Sequence, residues 1–238
     1  MERVSPDGSG AADRRFLMEN LKRVEEAISR ACADAGRPRE EVTLLAVTKT
    51  VAPELINEAI SLGLSEIGEN RVQEFLGKRD QLHLEGVSVH LIGHLQTNKA
   101  AKIVGRVDMI QSIDSLRAAQ AVAQASQRLG LTTDVLLEIN IGGEEAKSGA
   151  APEEAEELAY AVAALEGIRV RGMMTVPPVC DTERQVRAYF SRMKKLFIDI
   201  RDKKIDNTCM DVLSMGMSSD FREAILEGST MVLSLIHI

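Results

Sequence analysis

Aromatic residues are scarce in this chain: 3% of it, with no tryptophan. A core must therefore be filled by aliphatic side chains. That suits branched residues layered inside a parallel barrel and argues against a sandwich built on aromatic packing. Cysteine is also sparse. Cys32, Cys180 and Cys209 lie far apart, form no CxxC pair and show no metal-ligand spacing, so they read as inert, buried or half-buried thiols in a reducing compartment. No apolar run approaches the roughly 20 residues of a membrane helix. The polar, turn-rich start Met-Glu-Arg-Val-Ser-Pro-Asp-Gly-Ser-Gly carries no apolar signal region, and the expected setting is the cytoplasm. Excess positive charge is missing too. A net charge of −7 leaves few cations to replace counterions on a nucleic acid, and no nucleic-acid partner is expected.

What is present is a long alternation. Apolar residues make up 45% of the 238 positions, enough for one large α/β domain. Residues 1–12 read as a disordered tail, and a helix is expected from Asp13 to Ala35, where Leu17, Leu21, Val24 and Ile28 recur at helical spacing. Short apolar runs follow at 42–47, 65–68, 88–92, 109–112, 133–140, 168–173, 212–214 and 231–238, separated by helical segments. Strand then helix, repeated, requires a parallel sheet, and eight repeats point to a closed (β/α)8 TIM barrel spanning 13–238. No GxGxxG follows the first strand, which weakens a dinucleotide-binding reading.

Barrel chemistry sits where strands end. Lys49 directly follows the run Leu44-Leu45-Ala46-Val47-Thr48, and a lysine partly desolvated there can present a neutral, nucleophilic amine. By position alone such a lysine is more often an ordinary surface loop residue. Gly68-Glu69-Asn70 ends the second strand: Asn70 can hydrogen-bond a ligand or cap a helix, and Glu69 can pair with a cation. His90 and His94, followed by Gln96, Asn98 and Lys99, make a dense polar cluster, although a lone strand-end histidine is often structural. Asn140 and the loop Lys147-Ser148-Gly149 offer a second amine, or an ordinary solvated loop. Ser214-Met215-Gly216-Met217-Ser218-Ser219-Asp220 is the best phosphate cup, with small residues, hydroxyls and a following helix start; its bland reading is a helix cap. Gly228-Ser229-Thr230 precedes the last strand and belongs nearer the barrel's bottom.

Taken together, the motifs resemble a known family. Val-Thr-Lys at 47–49, Gly-Glu-Asn-Arg-Val-Gln-Glu at 68–74 and His-Leu-Ile-Gly-His-Leu-Gln-Thr-Asn-Lys at 90–99 are similar to the pyridoxal 5′-phosphate (PLP) homeostasis proteins. So are Glu-Glu-Ala-Lys-Ser-Gly at 144–149, Arg-Gly-Met-Met at 171–174, Leu-Ser-Met-Gly-Met-Ser-Ser-Asp at 213–220 and Gly-Ser-Thr-Met-Val at 228–232. The resemblance implies a fold-type III barrel like the N-terminal domain of alanine racemase, holding PLP as a Schiff base on Lys49 without established turnover. It implies a cofactor-binding set of Lys49, Asn70, His94, Met215, Ser218 and Lys147, with Ser218 on the phosphate side and Lys147 handling PLP beyond the main site. The implied role is buffering and delivery of PLP, to apo PLP-dependent enzymes, by a monomer.

Two departures qualify the resemblance. Val89 stands where the family usually has an aromatic residue. After Val232 the family continues Arg-Ile-Gly-Thr, its arginine approaching the pyridine nitrogen and its glycine and threonine completing the phosphate site. Here Leu233-Ser234-Leu235-Ile236-His237-Ile238 stands instead and reads as a replaced terminus, with weaker PLP binding expected. The rival expectation is a PLP enzyme such as an amino-acid racemase, which needs acid–base groups on both faces of its substrate. The chain's two tyrosines, Tyr160 and Tyr189, fall in helices expected on the barrel's exterior. A PLP-free isomerase barrel is a third reading and leaves Lys49 unexplained.

Overall fold

A computed structural model describes residues 7–235. Its strands are β1 (Thr43–Val47), β2 (Glu66–Glu69), β3 (Ser88–Leu91), β4 (Met109–Ile113), β5 (Thr133–Glu138), β6 (Ile168–Met174), β7 (Thr208–Ser214) and β8 (Met231–Leu235). They are parallel, pair in sequence order and close by β8 against β1. The expected (β/α)8 barrel is therefore the observed fold. Around it run α1 (Asp7–Asp34), α2 (Pro53–Ser61), α3 (Val72–Lys78), α4 (Ala100–Ile103), α5 (Leu116–Leu129), α6 (Ala155–Ala163), α7 (Glu183–Asp202) and α8 (Phe221–Leu226). None of the described helices is long and apolar enough to cross a membrane.

Local chemistry sets many of these boundaries. Pro53 opens α2 at a position where a missing N–H costs nothing. Ser115 caps α5 by accepting from Ala118 N–H, and Gly130 ends it in the left-handed conformation at φ 64°. Thr182 and Gln185 form a reciprocal capping box at the start of α7. The main hydrophobic core lies between strands and helices; it is mostly aliphatic, with Ile56, Ile67, Leu91, Ile110 and Val135, and also buries Phe75 and Phe190. A smaller cluster of Ile28, Cys32, Val42, Ile225 and Val232 seats α1 and α8 against the β8–β1 seam.

Several boundaries differ from expectation. The helix expected from Asp13 begins at Asp7, so 7–12 are helical rather than unstructured; residues 1–6 of the expected tail lie outside the described residues. β5 ends at Glu138, and Asn140 lies beyond it in a loop held by an isolated Ile139–Ala150 bridge. The segment 97–103 is a 3₁₀ turn followed by the four residues of α4. β7 starts at Thr208 rather than Val212, because its first half is partly exposed and polar: Asp211 faces out to pair with Arg171. Such a half-solvated stretch carries no continuous apolar run to find. Cys209 is exposed, contrary to the expectation of buried or half-buried thiols, while Cys32 is buried and Cys180 half-buried; all three are unpaired. β8 carries Leu233, Ser234 and Leu235 as regular strand residues opposite Leu45, Ala46 and Val47; Ile236, His237 and Ile238 lie outside the described residues.

Candidate functional site

Lys49 lies just past the end of β1, half-buried, and among the described residues no hydrogen bond or ion pair engages its amine. The residue before it is held on every polar atom. Thr48 N–H donates to Gly68 O at 3.0 Å, its carbonyl accepts from Lys78 Nζ at 2.8 Å, and its hydroxyl donates to Glu69 Oε1. Lys78 Nζ also sits 2.8 Å from Glu69 Oε1 and 3.4 Å from Glu74 Oε1. Glu69 has no exposed surface and the Lys78 side chain is 9% exposed. Burial pushes the Glu69 carboxyl above its ordinary range, against the pull of Lys78 and the Thr48 hydroxyl. Such a buried pair adds little net stability, because desolvation offsets the attraction, but breaking it by removing one partner costs about 3–5 kcal/mol. On the other side of Lys49, Thr50 adopts φ 58° and its N–H donates to Glu74.

Asn70 follows β2 beside the turn after β3. A Cβ on Gly93 would lie 2.2 Å from the Asn70 carbonyl oxygen, so only glycine lets these backbones meet. Asn70 Oδ1 is buried and has no partner. Such an orphaned acceptor next to the Lys49 turn is a place for a ligand donor.

The turn after β7 reaches the same side because the barrel closes there. Ser218 Oγ accepts from Leu235 N–H at 3.2 Å and lies 3.5 Å from Ser234 Oγ, and Leu235 pairs with Val47, two residues before Lys49. Gly216 sits at φ 96°, where a Cβ would fall 2.5 Å from that of Ala224. Met215 N–H is taken by Met231 O and Met217 N–H by Asp220 Oδ1. Among the described residues no protein acceptor takes the N–H of Gly216 or Ser218. α8 has only six residues, so the cup rests on this turn rather than on the helix start expected from sequence. Met215 is completely buried in the main core. It offers a ligand no surface and shapes the floor beneath the turn.

Across the mouth stand β4 and β5. His94 is 57% exposed and its Nδ1 lies 3.1 Å from Asp114 Oδ2. With Ser115, Arg117, Ser148 and neighbours these line a cavity of about 720 Å3. His94 is thus grouped with Asp114 and Ser148, not with Lys49. Behind Ser148, Glu138 accepts its hydroxyl through Oε1 while Oε2 is buried and unpartnered; burial pushes this carboxyl up. Lys147 Nζ donates to Pro177 O at 2.9 Å and sits 2.6 Å from Glu144 Oε2, so its amine is already occupied. Asn140 is the staple of this loop: its Nδ2 donates to Glu144 O at 2.8 Å, and its Oδ1 accepts from Glu144 N–H at 3.2 Å.

Other motifs resolve into structure. His90 Nδ1 accepts from Gln111 Nε2 at 2.7 Å, Gln111 Oε1 accepts from Ser214 at 2.7 Å, and Glu66 Oε2 lies 3.1 Å from His90 Nε2. Side chains from β2, β3, β4 and β7 meet this way only inside the barrel, so His90 belongs to a polar layer under the mouth. Arg171 joins Asp134 on β5 to Asp211 on β7, and a Cβ on Gly172 would strike Val212 O at 1.8 Å. Ser229 binds the Leu213, Met215 and Met231 carbonyls around its hydroxyl, tying β7 to β8. Sequence reasoning gave Lys78 no role and quoted Thr48 and Glu74 only as members of the family motifs. The signal for Lys78 was its i, i+4 spacing from Glu74 on one helix, which usually marks a solvated face.

A closed parallel barrel with a lysine at the end of its first strand defines the class: the alanine racemase N-terminal domain family matches residues 19–232. A pyridoxal phosphate homeostasis protein of Aquifex aeolicus is 42% identical over 214 residues, covering 90% of this chain and 93% of that one. The chain belongs to the family of pyridoxal phosphate homeostasis proteins. Among solved structures, a protein from Bifidobacterium adolescentis aligns with TM-score 0.92 at 35% identity, covering 100% of this chain and 98% of that one. PipY of Synechococcus elongatus PCC7942, solved with PLP bound, aligns with TM-score 0.77 at 29% identity, covering 88% of this chain and 98% of its own. The family match ends at Val232.

Proposed function

We propose that the chain binds PLP through Lys49 at the barrel mouth and holds it reversibly, buffering and delivering it rather than turning over a substrate. The observation that carries this reading is an unengaged lysine amine on an anchored peptide, beside the unpartnered Asn70 Oδ1. Lys49 would hold the cofactor through its amine, and the bound cofactor would supply the aldehyde that an imine there requires. Asn70 Oδ1 accepts from a ligand donor, and the Ser218 hydroxyl with the N–H groups of Gly216 and Ser218 suits the phosphate. Lys147 would act from across the mouth only after leaving Glu144 and Pro177, and His94 through the adjoining cavity. The group fits the residues present.

The same geometry argues for carriage over racemisation. Tyr160 is exposed on α6 and Tyr189 is packed on α7, so neither tyrosine stands at the mouth as a second acid–base group. The carrier reading places the protein in the cytoplasm as a monomer that passes PLP to apo PLP-dependent enzymes. Absorbance tests the cofactor assignment. Adding PLP to purified protein should produce an imine band that Lys49→Ala abolishes, and an unchanged band in that variant overturns it. Exchange of the alanine α-proton with solvent deuterium, measured with PLP present, should stay at the rate of free PLP; faster, Lys49-dependent exchange would favour an enzyme.

A further inference from the structure

We infer that Lys78 and Glu69 are positioning residues for Lys49: their buried pair fixes the Thr48–Lys49 peptide and so sets the direction in which the Lys49 amine enters the mouth. This deepens the PLP reading above and rests on it.

The argument is geometric. A strand-end carbonyl has lost its ladder partner and would ordinarily turn to water. Here the Thr48 carbonyl, the first beyond β1, accepts from a buried ammonium at 2.8 Å as well as from the Val51 N–H at 3.2 Å. The same ammonium holds Glu69, and Glu69 holds the Thr48 hydroxyl, so one residue is gripped at three polar atoms by β2 and α3. Glu74, one helical turn before Lys78, takes the Thr50 N–H and fixes the next peptide at φ 58°. Two fixed peptide planes bracket the Lys49 Cα and leave its Cα–Cβ direction a single orientation. An apolar residue would fill the position of Lys78 at lower desolvation cost. It would leave the Thr48 carbonyl with the Val51 N–H alone and Glu69 with the Thr48 hydroxyl alone, both without their charged partner, and so loosen the peptide.

A purely structural pair would change stability alone, so the test reads Lys49 itself. The variants are Lys78→Met with Glu69→Leu, which removes the pair as a unit, and Thr48→Val, which removes one grip and keeps its shape; Thr48→Ser restores the hydroxyl. Each is checked for folding by its circular dichroism and unfolding curve. Two readouts follow: the PLP dissociation constant from the imine band, and the rate of Lys49 acetylation by acetic anhydride without PLP, read by peptide mass. In the double variant the dissociation constant should rise on the order of tenfold, the equivalent of one anchoring interaction to a charged group. The rate of Lys49 acetylation should change, Thr48→Val should show a smaller effect of the same sign, and Thr48→Ser should recover. Folded variants with unchanged acetylation of Lys49 would overturn the inference. Absence of a Lys49-dependent band in the unsubstituted protein would overturn the cofactor reading instead, with acetylation still deciding the positioning role. If the double variant does not fold, Thr48→Val decides by the same two readouts.

Discussion

Replacing Glu138 by glutamine should stabilise this protein above neutral pH and do nothing in acid. Glu138 is 8% exposed; Oε1 accepts from Ser148, and Oε2 has no partner. Burial raises its pKa above the ordinary carboxylate value, the Ser148 hydroxyl opposes that, Asp114 adds to it and His94 subtracts. The folded state therefore holds this proton to higher pH than the unfolded chain does. Stability from this group is undiminished below the unfolded pKa, falls as pH rises from there through the raised folded value, and stays lower above it. A buried, unpartnered charged oxygen costs roughly 1–3 kcal/mol. Glutamine keeps an acceptor for Ser148 and leaves a neutral amide in place of the charge, so a gain of about 1–2 kcal/mol is expected at pH 8. For a chain of this size that is about 2–8 °C in Tm. Because burial also raises Glu69 and Asp220, the quantity to read is the difference between Glu138→Gln and the unsubstituted protein, by urea unfolding at pH 4 and pH 8. A variant less stable at pH 8, or a gain of equal size at both pH values, would refute the reasoning.

Gly216→Ala should weaken PLP binding and lower stability by about 1–2 kcal/mol, since φ 96° is strained for an L side chain and the new Cβ meets that of Ala224; an unchanged Tm would remove the steric account. Asn140→Ala should cost about 1 kcal/mol and speed proteolysis between residues 140 and 150, while leaving the Lys49-dependent band intact. Leu233→Arg with Leu235→Gly, the residues that the family resemblance implies there, should tighten PLP binding, measured by the imine band, because Leu235 adjoins the Ser218 turn. A weaker or equal constant in that folded double variant would mean that the end of β8 does not limit binding.

The chain's sequence by itself determined the barrel. Short continuous apolar runs and period-3.6 helices are local properties, written in consecutive residues, and their alternation leaves a parallel closed sheet as the simple solution. It also determined that Lys49, Asn70 and Ser218 stand at strand ends on one face, because parallel strands all end on the same side. Only the tertiary structure decided which of them meet. Closure of β8 onto β1 brings Ser218 to the Lys49 side, and packing of α3 against the ends of β1 and β2 puts Lys78 against Thr48, thirty residues away. The same closure buries Met215 in the floor, turns His90 into the barrel and leaves His94 facing Asp114. Such contacts depend on strand stagger and helix placement, which no single stretch of residues encodes. That is why a lysine with a helix-surface pattern proved buried, and why a lysine that looked like a loop residue gained its fixed setting.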